Sequence, residues 1–341
     1  MLYAAEAVVM SFALMMLLMP VCIKKLRALK FGQTMYELGP QSHLNKKGTP
    51  NMGGVVTGPV TVMITVLVVC LMRKKGAAVP FWSLQNTLWA LLFVAIGSMA
   101  VGFTDDYIKD VKKNHEGLKP KQKIAGQLIV GLLFSVWAYF TLGSEVILPF
   151  THSTWNLGVF YIPLLTLTVL FMTNSANLQD GIDGILSSVT AVGMIAFGAM
   201  GLLMASAGSS LLNAGECSAA VAFALTGACL GFLKFNRHPA KIFMGDTGSM
   251  FIGGVMVGIA VLLRLEFLLL LICFTCVMSS VSVIMQRTYY KLTHGKRIFK
   301  MTPIHHHFEM SGMNENQIVM MYAVVTLVLS VIAVLSVLAW F

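Results

Sequence analysis

The sequence has little charge. Asp, Glu, Lys and Arg make up 11% of its 341 residues, against roughly 25% in an ordinary soluble domain. Acid is scarcest, at 14 residues, so the chain is no acidic solvated protein. It has no internal repeat, which argues against an inverted-repeat transporter. A basic leader and a small-residue cleavage site are missing around the first apolar run, so that run reads as a retained helix and not a signal peptide. Paired cysteines are missing too. The six lie in or beside apolar runs, and Cys273 and Cys276 form a Cys-x-x-Cys with no second pair. Small apolar packing residues explain them better than metal or redox chemistry.

What is there is hydrocarbon: 57% hydrophobic residues and a mean hydropathy of +0.79. At about 20 apolar residues per crossing, the runs give ten helices, near 4–23, 52–72, 86–104, 124–143, 159–175, 185–206, 217–235, 248–265, 267–289 and 318–340. The expected fold is an all-α polytopic membrane protein, one integral-membrane domain over residues 1–341. Residues 145–158, with alternating Val146, Leu148 and Phe150, read as a small hairpin. The net charge of +10 does not point to nucleic acid, because its distribution follows membrane orientation. With both termini extracytoplasmic, all but four of the 24 Lys and Arg fall in cytoplasmic segments, as the positive-inside rule requires. The exceptions are Arg73, Lys74, Lys75 and Arg264. Gly227/Gly231 and Gly254/Gly258 are small-xxx-small pairs suited to helix packing. The first of them leaves a homodimer open.

Against this background the polar clusters stand out, and all fall on the cytoplasmic side. The run Leu88–Val101 delivers Gly102-Phe103-Thr104-Asp105-Asp106-Tyr107. A carboxylate near hydrocarbon is costly and is usually kept for binding or chemistry. Consecutive helical residues point about 100° apart, so the two share one ion only if the helix ends there, and Gly102 suits an end. Two adjacent carboxylates repel unless a cation is near, and Mg2+ takes one or two carboxylates plus phosphates and water. The bland alternative is a polar helix stop.

Further on comes Asn174-Ser175-Ala176-Asn177-Leu178-Gln179-Asp180-Gly181-Ile182-Asp183-Gly184. It is an acidic loop without a base, suited to a cation or a polar ligand, although Asp183 also fits a plain N-cap. In Phe243-Met244-Gly245-Asp246-Thr247-Gly248-Ser249 a glycine-rich helix start offers amides to phosphate. Asp246 makes sense there only beside a metal or a base, and Phe243 can stack on a nucleobase. A simple cap by Asp246 or Ser249 is the alternative. His305, His306 and His307 do not share a helical face, which argues against a three-His zinc site. They read as phosphate donors or as solvated imidazoles. Lys46-Lys47-Gly48-Thr49-Pro50-Asn51-Met52-Gly53-Gly54 and the Lys119, Lys121, Lys123 run are basic flanks that either contact anions or face solvent.

These stretches, in this order, resemble the bacterial phospho-N-acetylmuramoyl-pentapeptide transferases from about residue 43 to the end. The Asp-Asp and Asn-x-x-Asp-Gly-x-Asp-Gly elements are shared by the wider polyprenyl-phosphate hexosamine-1-phosphate transferase superfamily; Pro303-Ile304-His305-His306-His307-Phe308-Glu309 is closer to the muramoyl-pentapeptide branch. Asn51 departs from the pattern, which has Thr there. The resemblance implies Mg2+-dependent transfer of phospho-MurNAc-pentapeptide from UDP-MurNAc-pentapeptide to undecaprenyl phosphate at the cytoplasmic face of the bacterial cell membrane, giving lipid I and UMP. It implies Asp105, Asp106 and Asp246 in catalysis, with Asp246 the Mg2+ ligand. Asn177, Asp180, Asp183, Asn236, Phe243 and Gln286 are implied around the nucleotide, and Lys46, Lys109, Lys121, His305 and His306 on phosphates. Its partners are those two substrates and membrane lipids, with no nucleic acid. The rival within the superfamily is a GlcNAc-1-phosphate transferase. The rival of another class is a cation-coupled transporter, which would want ionisable residues mid-span.

Overall fold

The computed structural model describes residues 2–29, 48–73, 87–112, 117–151, 153–206 and 212–339. Lys46 of the expected phosphate donors lies outside the described residues. The chain is all-α apart from one hairpin. Its helices are α1 (Leu2–Ala28), α2 (Gly54–Arg73), α3 (Thr87–Asp106), α4 (Pro120–Leu142), α5 (Tyr161–Gln179), α6 (Ile185–Ser206), α7 (Leu212–Asn236), α8 (Gly245–Leu262), α9 (Glu266–Ile272), α10 (Phe274–Leu292), α11 (Ile304–Glu309) and α12 (Glu315–Leu338). Among the described residues nine helices are long and apolar enough to cross a membrane, and α9 with α10 makes a tenth if that pair is one span. The chain is a multi-pass membrane protein.

The ninth expected span, 267–289, is not one straight helix. It bends by 82° between α9 and α10. No proline or glycine marks the break. The two halves differ in chemistry: α9 carries five apolar residues in a row after Glu266 and Phe267, whereas α10 ends in Gln286, Arg287, Tyr289, Tyr290 and Lys291. Side chains of that kind are costly in hydrocarbon, and α10 packs its Ser279 and Ser280 on Gln179 and Ser175 of α5.

α8 is the hub, almost wholly buried. Its glycines permit this. Gly254 abuts Val94, Ala95 and Ser98 of α3, and Gly253 abuts Met172 and Thr173 of α5. Without a hydrophobic driving force between helices in lipid, such close approach supplies the packing attraction. Gly227 and Gly231 meet Val8, Phe12 and Met15 of α1, so this pair packs within the chain. The expected hairpin forms as β1 (Glu145–Leu148) and β2 (Ser153–Asn156), antiparallel with Val146 opposite Trp155. Trp155 stacks on Phe267 with ring centroids 6.5 Å apart.

Candidate active site at one end of the bundle

The carboxyl ends of α3, α5 and α7, the amino ends of α4 and α8, and α11 meet at the bundle end away from the hairpin. Their arrangement starts from backbone. Phe243 donates its N–H to Pro50 O at 2.9 Å, while Gly53 and Gly54 donate to Phe243 O and Met244 O at 2.8 and 2.9 Å. The Pro50–Gly54 stretch is therefore a strap that fixes the Met244-Gly245-Asp246 turn. A methyl on Gly54 would overlap Gly248.

Asp106 turns to the start of α8. Its carboxylate accepts from Asp246 N at 3.1 Å, Thr247 N at 2.8 Å and Thr247 Oγ1 at 2.6 Å. A carboxylate from α3 thus caps the amino end of α8, where free N–H groups and the helix dipole favour negative charge. Two of the α8 amides expected to greet a phosphate, those of Asp246 and Thr247, are taken. Gly102 does not end α3 either. The helix runs on to Asp106 and into a π-turn, Tyr107–Val111, and Gly102 is small because the Asp246 carbonyl lies against it. Asn51, the departure from the family pattern, donates Nδ2 to Asp110 Oδ2 at 3.1 Å and, longer, to Asp106 Oδ1 at 3.5 Å.

Asp105 points the other way. Its Oδ1 accepts from Leu118 N at 2.7 Å. Its Oδ2 lies 2.5 Å from Lys109 Nζ and 3.6 Å from Lys123 Nζ. The same two ammonium groups hold Asp246 Oδ2 at 3.1 and 2.7 Å. Asn177 Nδ2 reaches Asp246 Oδ1 at 2.7 Å and Ser249 Oγ at 3.0 Å. Two carboxylates from separate helices converge on one small cationic region. Their oxygens are of the kind hard divalent cations take, and a cation there would have to take the place that the Lys109 and Lys123 ammonium groups occupy. Among the described residues a second group, Asp183, His238 and Glu315, also brings one ligand atom each within 4.8 Å of one another.

The remaining expected residues divide. Asp180 and Asp183 do not share a helical face, because α5 ends at Gln179 and the loop turns. Burial, together with the negative charge of Asp246, Asp106 and Asp183, pushes the Asp180 carboxyl well above its ordinary range. Asp183 is nearly buried, and its Oδ2 accepts from Ala240 N at 2.9 Å. Asn236 accepts from Gly184 N and donates to Ile242 O. His305 packs on Gly181, with its ring centroid 4.3 Å from that of His306, which brings α11 to the acidic loop. Gln286 accepts from Ile298 N and Phe299 N, so it clamps the following loop. Phe243 is half-buried and Lys121 is exposed. Lys123, read from the sequence only as part of a basic run, makes the contact with Asp246. Its spacing of two from Lys121 on α4 turns it to another side of the helix, and that was the available signal.

A bundle of membrane-spanning helices with carboxylates and lysines gathered at one end is consistent with a membrane-embedded transferase of anionic groups. Comparison with known proteins agrees. The sequence profile of glycosyl transferase family 4 matches residues 88–264. The chain is 40% identical over 329 residues to the phospho-N-acetylmuramoyl-pentapeptide-transferase of Bacillus pumilus, covering 96% of this chain and 95% of that one. It is 41% identical to that of Bacillus subtilis strain 168 over 329 residues, with the same coverage. With that of Desulfitobacterium hafniense it shares 39% over 337 residues, 98% of this chain and 97% of the relative. The chain belongs to the phospho-N-acetylmuramoyl-pentapeptide-transferase family.

Proposed function

We propose that the chain moves phospho-MurNAc-pentapeptide from UDP-MurNAc-pentapeptide to undecaprenyl phosphate, releasing UMP and forming lipid I, with Mg2+ as cofactor. Family membership supports the reaction. The observation that carries the site is the convergence of Asp105 and Asp246 on Lys109 and Lys123. The reaction brings a phosphate nucleophile against a diphosphate, so anion must approach anion. Lys109 and Lys123 offset that repulsion when phosphate oxygens take the place of carboxylate partners. Asp105 orients the lipid phosphate, which is already ionised and attacks directly. Asp106 acts one step removed: by capping α8 it fixes where the Asp246 carboxylate points. Asp246 with Asp105 would hold Mg2+, and the ion would supply charge neutralisation on the diphosphate and on the leaving UMP.

Asn177 and Asp180 line the nucleotide region with Phe243. Asp183, Asn236 and Gln286 support it through the loops they tie. His305 and His306 border the phosphates beside Gly181. The whole chain is one membrane domain with this end facing the cytoplasm and both termini outside, as its Lys and Arg distribution favours. The protein purified in detergent is expected to release UMP from UDP-MurNAc-pentapeptide only with both undecaprenyl phosphate and Mg2+ present. Turnover of UDP-GlcNAc in its place, or undiminished turnover in EDTA, would refute the assignment. Burst release of UMP without lipid would refute direct attack.

A further inference from the structure

Glu315 opens α12 and plays no part in the chemistry above, yet its side chain is 6% exposed. It lies beside Asp183, which is 3% exposed. Two buried carboxylates this close are destabilising unless donors are matched to them. The donors are present. Glu315 Oε2 accepts from Asp183 N at 2.9 Å. His238 Nδ1 stands 3.1 Å from Asp183 Oδ2 and 3.3 Å from Glu315 Oε1. Asp183 Oδ2 takes a second hydrogen bond from Ala240 N.

We infer that Glu315 and His238 are positioning residues for the nucleotide pocket, acting through Asp183. This rests on the proposed function. The geometry is a three-way pin. One arm is the 180–184 turn, which starts at Asp180 and leaves α5 just after Asn177. The second is the 236–242 loop, which delivers Phe243 and Asp246 and is tied to the first through Asn236 and Gly184. The third is the first residue of α12. That residue lies in a first helical turn, where the dipole favours a carboxylate, and its register is set by the Asn314–Gln317 capping box. Gly184 turns with φ of 80°, a conformation that favours glycine. The matched donors fit a hydrogen-bonded pin better than a second metal site.

The test uses full-length protein in detergent with UMP as the probe. His238→Ala, at a half-exposed position, is the variant least exposed to misfolding. Glu315→Gln is the second, and His238→Asn is the conservative rescue, because its amide can occupy the Nδ1 donor position. Loss of a hydrogen bond to a buried charge predicts UMP affinity and donor KM weakened about tenfold in the first two. The KM for undecaprenyl phosphate should hold while the melting temperature falls modestly, and His238→Asn should recover most of both losses. Equal UMP affinity in wild type and variants overturns the inference alone. So does a rise of both KM values by the same factor together with a fall in melting temperature, which marks a general scaffold. Zn2+ or Mn2+ retained in stoichiometric amount by wild type and lost in Glu315→Gln also overturns it, in favour of a metal. Failure of wild type itself to bind UMP sinks the underlying functional reading instead.

Discussion

Asn177 donates its side-chain amide to Asp246 at 2.7 Å, joining the last turn of α5 to the first turn of α8. Asn177 Nδ2 also reaches Ser249 Oγ, so one amide aims the Asp246 carboxylate from below while Lys109 and Lys123 hold its other oxygen. Asn177→Ala removes a hydrogen bond to a charged group, typically 1.5–3 kcal/mol, which is roughly 10- to 150-fold in rate. Asn177→Asp should be worse, because it replaces a donor with another anion. Steady-state UMP release on protein of unchanged melting temperature checks both. Wild-type rates in Asn177→Ala would show that the amide does not set Asp246.

Lys121 and Lys123 provide a sharper contrast. Both stand on the first turn of α4, but only Lys123 reaches Asp246, at 2.7 Å, while Lys121 faces solvent. Lys123→Gln should lower kcat by about 100-fold or more, the range seen when a preorganised charge contact to a transferring phosphoryl group is lost. Lys121→Gln should stay within about threefold, the scale of an exposed charge. The reverse order of effects would refute the assignment of Lys123 to the site.

Much of this was legible beforehand, for definite reasons. The span count follows from segment length against bilayer thickness. The meeting of the acidic loops follows from polar clusters falling at alternate span ends. The hairpin follows from alternation through Val146 and Leu148. What was not legible depends on approach between distant backbones. Asp106 reads as a catalytic partner of its neighbour Asp105, and nothing local says that Thr247 takes its carboxylate. Gly102 reads as a helix end, yet it is small because α8 lies against it, and Gly54 is likewise small against Gly248. The break after Ile272 is silent because apolar residues continue across it. Gln286 and Asn236 came from resemblance alone, and their contacts in the fold are to loop backbone.

Gly102 allows α3 to touch the Asp246 carbonyl and Thr247 N. A methyl there must push α8 away, since the obstacle is backbone and not the tip of a flexible side chain. Overpacking of this kind costs about 1–3 kcal/mol, and the displacement also breaks the Asp106 cap. Gly102→Ala is therefore expected to lower the melting temperature by several degrees, at about 2–4 °C per kcal/mol, and to remove most activity together. Gly143→Ala is the control: it meets nothing within 4 Å, although its φ of 88° adds local strain. It should lose some stability but retain turnover. Full activity in Gly102→Ala would mean that the two helices are not held at this contact.

Asp180 gives a pH signature. Burial first, and then the charges of Asp246, Asp106 and Asp183, raise its carboxyl well above the ordinary range. The folded chain therefore keeps a proton that the unfolded chain releases near pH 3.9. Between that value and the raised folded value the native state binds more protons, so stability falls as pH rises. The contribution is complete below the unfolded value and is lost as pH climbs through the folded one. Asp180→Asn removes the ionisation, so its stabilisation relative to wild type should be small at pH 5 and larger at pH 8, by about 3 °C in melting temperature or more. The measurement belongs in EDTA, because a bound divalent cation would favour the ionised form and narrow the difference. A melting-temperature difference that does not change with pH would mean that Asp180 ionises in the folded protein at no cost, and that the negative charges around it are already neutralised by groups of the chain itself.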